Sequence, residues 1–160
     1  EPLVVGVHIR NGRDFRSKKL TDAQLDGLAS CALHVSRHAT RRTTFYIATE
    51  SEESKAAARR AFDKVVGAQN YIMFPSLAGP TQCKGKAHSD ACTTSREGAK
   101  ISMTDLMLLA RCDIRILTPM SSFSEMAGAV AAKRGVYFQP SLERKFHYED
   151  AEEVFPGCFI

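Results

Sequence analysis

No apolar run in this sequence is long enough to cross a bilayer, and the first residues lack the pattern of a signal peptide. These absences carry little about location. The chain enters a core-type strand almost at once, as expected of a domain cut from a longer protein with upstream residues missing. The dinucleotide fingerprint GxGxxG is missing after the first apolar run, and the phosphate-loop motif GxxxxGK[ST] occurs nowhere. That argues against the two commonest uses of a doubly wound sheet. There is no GxSxG nucleophile elbow either. The five cysteines form no CxxC, and no His pair stands at ligand spacing, so no metal site is expected. Internal repeats and low-complexity segments are also absent.

What remains suits one globular domain: 160 residues, 44% hydrophobic, are enough for a sizeable core. The formal net charge of +4, from 22 Lys and Arg against 18 Asp and Glu, favours an anionic ligand. It is too small and dispersed to indicate nucleic acid. Arg10, Arg13, Arg16, Lys18 and Lys19 fall close together; for the last three a solvated face is explanation enough. Cys31 and Cys112 fall in expected helices and read as small packed hydrophobes. Cys83 and Cys92 flank a polar loop and could pair in an oxidising compartment. The odd number of cysteines leaves at least one thiol free, so cysteine usage does not name the compartment.

The organising stretch is Leu3-Val4-Val5-Gly6-Val7-His8-Ile9 followed by Arg10-Asn11-Gly12-Arg13-Asp14. A β-branched apolar run of this kind reads as a central strand of a parallel sheet, covered on both faces. Side chains alternate along a strand, so His8 and Arg10 share a face at its C-terminal end, where open α/β sheets bind ligands. Thr21 then looks like an N-cap, and Leu25, Leu28, Ala29, Ala32, Leu33 and Val35 have helical spacing, with an end near His38. A second strand is expected over 43–49, a helix from Ser51 through Val65 stopped by Gly67, and a third strand over 71–74. Periodicity is lost from Ser76 to about Gly98, the length of a functional loop or insertion. It returns in an apolar helix from Ile101, a strand over 114–118, a helix from Ser121 stopped by Gly135, and a strand over 136–138. Alternating strands and helices give an α/β fold, a Rossmann-like doubly wound parallel sheet with right-handed crossovers. The expected organisation is a domain over 1–140, with 76–98 as a long loop, and a C-terminal tail over 141–160 whose aromatic residues pack on this or another domain.

Three strand-to-helix junctions are expected on one edge of that sheet: 8–14, 48–51 and 118–124. At the third, a serine-rich turn enters a helix, where backbone N–H groups and hydroxyls make an anion site. Simple N-capping is the plain alternative for Ser121 and Ser122. Asp105 stands among apolar residues, where a carboxylate is costly unless paired or solvated. Placement in the first turn of a helix beginning near Thr104 is its plain alternative.

Taken together, His8, Arg10, Arg13 and Asp14, then 45–50, then 105–113, then 121–127 resemble the GDP-fucose-binding half of fucosyltransferases. That family comprises the α1,2-, α1,6- and protein O-fucosyltransferases, which share three peptide motifs. The likeness spans roughly Leu3 to Ala132, with 76–98 unmatched. It implies the C-terminal donor-binding domain of a two-domain GT-B glycosyltransferase that transfers fucose with inversion and without metal or other cofactor. By position, Arg10 would contact the diphosphate and stabilise the leaving GDP, as the catalytic group. His8 and Asp105 would recognise guanine, while Ser121, Ser122 and Phe123 would bind phosphate and line the site. Many members carry a second arginine directly after the first; here that position is Asn11, and Arg13 would take its part. Asp14 and Glu50 are the nearby carboxylates, so a general base is expected from the acceptor half, a missing N-terminal domain that would help bind a glycan or protein acceptor. Turnover by this domain alone is not expected. The family also implies work in the secretory lumen, Golgi or endoplasmic reticulum. A non-catalytic relative that binds anions or proteins is the main competing expectation, and a nucleic-acid binder the least favoured.

Overall fold

The computed structural model of the protein describes residues 1–10, 20–37, 40–49, 52–68, 70–73, 96–119, 121–132, 135–138, 153–155 and 158–159. In chain order these form strand β1 (Leu3–Ile9), helix α1 (Asp22–Ser36), β2 (Thr43–Thr49), α2 (Glu52–Val65), β3 (Tyr71–Ile72) and α3 (Arg96–Arg111). Next come β4 (Ile114–Leu117), α4 (Ser122–Ala131), β5 (Val136–Phe138), β6 (Glu153–Phe155) and β7 (Cys158–Phe159). The sheet order is β3-β2-β1-β4-β5-β7-β6. The first five strands in that order are parallel, and β7 joins β5 antiparallel. The doubly wound arrangement expected from the alternation of elements is present, extended by an antiparallel pair from the tail.

The strand order places the switch point between β1 and β4. From β1 the chain winds outward through β2 to β3, then returns through α3 to β4 and winds the other way. The loops leaving β1 and β4 therefore diverge, and the crevice between them is where sheets of this kind take ligands.

The two faces of β1 are built differently. Leu3, Val5, Val7 and Ile9 join the larger core cluster with α1 and α2 residues such as Leu28 and Phe62. There Phe62 meets Phe45 and Tyr71 edge-on, with ring centroids 6.1 and 6.0 Å away. The other face carries Gly6 and His8, and its smaller apolar cluster includes Leu109, Leu117 and Ala127. Among the described residues, the larger buried apolar cluster lies on the α1/α2 side, and the buried His8 and Ser124 lie on the α3/α4 side.

Local signals explain the element ends. Thr21 Oγ1 accepts the Gln24 N–H at 3.2 Å and Gln24 Oε1 accepts the Thr21 N–H at 2.9 Å, a reciprocal cap that starts α1. Gly67 ends α2 with φ +84°, a left-handed turn that costs a glycine little. Ala132, not Gly135, ends α4: its φ is 50°, and its N–H reaches Ala129 O at 3.2 Å. Gly135 serves close approach instead, since a Cβ there would lie 2.6 Å from Leu117 Cδ1.

Gly6 has the same role at the centre of the sheet. A Cβ at this position would stand 2.7 Å from Cys112 Sγ and 2.8 Å from Leu109 Cδ1. Gly6→Ala is therefore expected to destabilise the fold by about 1–3 kcal/mol, the usual range for overpacking. A urea midpoint equal to that of the parent would contradict the close packing of α3 on β1.

Two further expectations, for Cys31 and for Asp105, need correction. Cys31 is not a packed thiol: it forms a disulfide with Cys158, 127 residues away, with Cα atoms 5.8 Å apart. Its place in an expected helix suggested a small hydrophobe, and no local spacing announces so distant a partner. Cys112 is free and buried, lies one residue past α3, and its thiol donates to Leu108 O at 3.2 Å. Asp105 does not sit in a first turn, because α3 already begins at Arg96. The expected Cys83–Cys92 pair lies outside the described residues, as does nearly all of 76–98.

Candidate functional site

Thr118, directly after β4, bridges the switch point. Its hydroxyl accepts the Arg10 N–H at 3.1 Å and donates to His8 O at 2.7 Å. Where β1 and β4 part, their backbone groups lose ladder partners, and one side chain supplies both an acceptor and a donor. Arg10, half-buried, is thereby pinned at the edge of the crevice.

His8 lies on the α3/α4 face, 5% exposed, with Nδ1 2.7 Å from Ser124 Oγ. Its ring packs on Phe123 at a centroid distance of 4.8 Å and 30° between planes. Removal from water and, second, the positive charge of Arg10 lower its pKa to about 3. The imidazole is therefore neutral at physiological pH. Its Nε2 takes no part in the bond to Ser124.

Ser121 caps α4. Its Oγ accepts the Ser124 N–H at a long 3.5 Å, and its carbonyl accepts the Glu125 N–H at 3.0 Å. The plain capping role foreseen for Ser121 is thus filled. Ser122 is exposed, and helix geometry leaves its N–H and that of Phe123 without intrahelical acceptors. The first turn of α4 meets β1 through His8, which contacts Ser124 and Phe123, and the open N–H groups of such a helix start suit an anion.

Asp105 sits on the same side of the sheet. The register sets Tyr46 beside Gly6 and Ala48 beside His8, so Tyr46 and His8 project from one face. Tyr46 Oη donates to Asp105 Oδ1 at 2.5 Å. Burial raises the Asp105 pKa, opposed first by that hydrogen bond and then by the charge of Lys55. Lys55, on α2 and buried, also pairs with Glu52 at 3.4 Å. Tyr46 in turn is pushed far above the ordinary phenol range, first by burial and then by Asp105.

Of the residues foreseen from sequence, His8 packs on Phe123, Arg10 is tied to Thr118 by its N–H, and Ser121 and Ser122 stand at the start of α4. Asp105 stands on the same face, bonded to Tyr46. Arg13 lies outside the described residues, as do Asn11, Asp14, Glu50 and Ser51. Thr118 and Ser124 fall in the expected junction 118–124 and Tyr46 in the stretch 45–50, but sequence reasoning assigns none of the three a role. A serine three residues after a serine cap was visible, whereas a threonine at a strand end and a tyrosine within a strand are ordinary. Among the described residues, no three His, Cys, Asp or Glu side chains gather as a metal site.

No protein-family model matches the chain, and no curated protein sequence matches it significantly. Solved structures do. The α-1,6-fucosyltransferase NodZ co-crystallized with GDP superposes with a TM-score of 0.52 at 19% identity, over 86% of this chain and 38% of that one. The selenomethionine form of NodZ from Bradyrhizobium gives 0.52 at 20% identity, again over 86% and 38%. A FUT1 mutant from Arabidopsis thaliana in complex with GDP gives 0.54 at 10% identity, over 98% of this chain and 31% of that one. The chain has the α/β fold seen in part of these fucosyltransferases, and spans well under half of their length.

Proposed function

We propose that this chain is the donor-binding domain of a fucosyltransferase, holding GDP-fucose in the crevice between β1 and β4. The observation that carries it is the Thr118 bridge. It ties the Arg10 backbone to the end of β4 at the topological switch point, two residues from the neutral His8 that contacts the first turn of α4. The GDP present in two of the similar structures supports a guanine nucleotide as ligand.

The chemistry follows from charge. Departure of a nucleoside diphosphate builds negative charge on its β-phosphate, and a guanidinium fixed beside it stabilises that charge. Arg10 takes this part, helped by the free N–H groups at the start of α4. As in other glycosyl transfers, the sugar becomes oxocarbenium-like, so help to the leaving group carries much of the rate. Inversion without metal, and an acceptor and general base supplied by another domain, complete the proposal. The Cys31–Cys158 disulfide supports an oxidising compartment such as the secretory lumen.

Calorimetric titration with GDP, GDP-fucose, GDP-mannose and UDP, with and without magnesium, tests this. GDP and GDP-fucose are expected to bind without magnesium, UDP much more weakly. Arg10→Ala should weaken GDP at least about tenfold, the scale of one lost charge-assisted phosphate contact. Binding of none of these nucleotides would favour the non-catalytic alternative.

A further inference from the structure

We propose that Tyr46 is a positioning residue for Asp105 and, through it, sets which base the site accepts. This rests on the nucleotide-donor reading above. Asp105 lies in the interior of α3, partly buried, directly before the buried Leu106. A charge there needs a partner, and it has a short bond from a phenol on the neighbouring strand. Tyr46 is itself 5% exposed and held by the sheet, so the bond joins a rigid donor to a helix side chain.

That bond has two consequences. It fixes the plane of the carboxylate, and it helps keep the group charged against burial. Each carboxylate oxygen has two acceptor directions, so Oδ1 retains one and Oδ2 both. A fixed, charged acceptor pair matches a base edge that carries two adjacent N–H donors. Guanine has such an edge in its N1–H and exocyclic amine. Hypoxanthine keeps the first donor and lacks the second, whereas adenine presents an unprotonated N1 that the carboxylate repels. Without Tyr46 the carboxylate could rotate or take up a proton, and its preference for two donors over one would shrink.

The test is titration of GDP and inosine diphosphate against the parent protein, Tyr46→Phe, Asp105→Asn and the double variant. Phe keeps the ring and removes only the donor. The parent is expected to prefer GDP over the inosine nucleotide by at least about tenfold, the scale of one hydrogen bond to a charged acceptor. Tyr46→Phe should lose most of that preference, and Asp105→Asn should lose it too. Adding Tyr46→Phe to Asp105→Asn should change the ratio no further. The ratio is read on one protein preparation, so partial unfolding of a variant cancels from it. A merely structural tyrosine would weaken both nucleotides equally and leave the ratio intact. That result, with Arg10-dependent GDP binding retained, overturns the role of Tyr46 alone. Loss of Arg10-dependent GDP binding in the parent overturns the donor reading and this inference together.

Discussion

Breaking the Cys31–Cys158 bond is expected to lower the stability of the domain by roughly 3–5 kcal/mol, the range for disulfides that close long loops. The bond joins α1 to β7 across a sequence separation of 127 residues, so its removal frees a large part of the unfolded chain. Both cysteines have no exposure, so reduction requires local opening. The strand it secures is short. β7 spans only Cys158–Phe159 and holds to β5 through the pairs Tyr137 with Phe159 and Phe138 with Cys158. Cys158 also belongs to the larger core cluster together with Phe138 and Cys31. Denaturant unfolding of Cys31→Ala, Cys158→Ala and the double variant, beside the parent with and without reductant, measures the effect. The single and double variants should agree, because either one removes the same bond. A midpoint unchanged by reduction would mean that β7 is held by its packing and ladder bonds alone.

Acid should destabilise the protein through His8. Its folded-state pKa is lowered from 6.5 to about 3 by burial and by Arg10. Below pH 6.5 the unfolded chain binds a proton at this position that the folded chain refuses, so stability falls as pH falls. The loss amounts to about 1.4 kcal/mol per pH unit, or roughly 3 kcal/mol by pH 4.5. Above pH 6.5 the term is absent. Asp105 acts with the opposite sign, since its raised pKa lets the folded state take up a proton first on acidification. The contribution of His8 is therefore read as a difference between two proteins. His8→Asn can keep a polar atom near the position of Nδ1, facing Ser124 Oγ, and it does not titrate. The variant should be less stable at pH 7 and show a shallower loss between pH 6.5 and 4.5. Parallel pH profiles for parent and variant would show that His8 gains its proton without penalty.

Apolar periodicity, Gly67 and the Thr21 cap marked the principal helices and strands because each is a short-range matter: a side-chain period or a single φ angle decides it. The strand β2 emerges with the expected bounds for that reason, and β1 with its two faces. The expected end of α4 at Gly135 failed because a glycine can serve close packing as well as left-handed backbone, and only Leu117 standing over it reveals which. The start of α3 at Arg96 was obscured because its first residues are polar, and the apolar period becomes visible only from Ile101.

By itself the sequence determined the fold class, the presentation of His8 and Arg10 at a strand end, and the serine cap on α4, all of them carried by neighbours within a few residues. The tertiary structure alone decided the switch point between β1 and β4, the Thr118 bridge across it, the His8–Ser124 contact, the Tyr46–Asp105 bond and the Cys31–Cys158 pair. Those partners stand 59 to 127 residues apart along the chain. A contact at that range depends on which strands lie side by side and in what register, and no local pattern of residues encodes it.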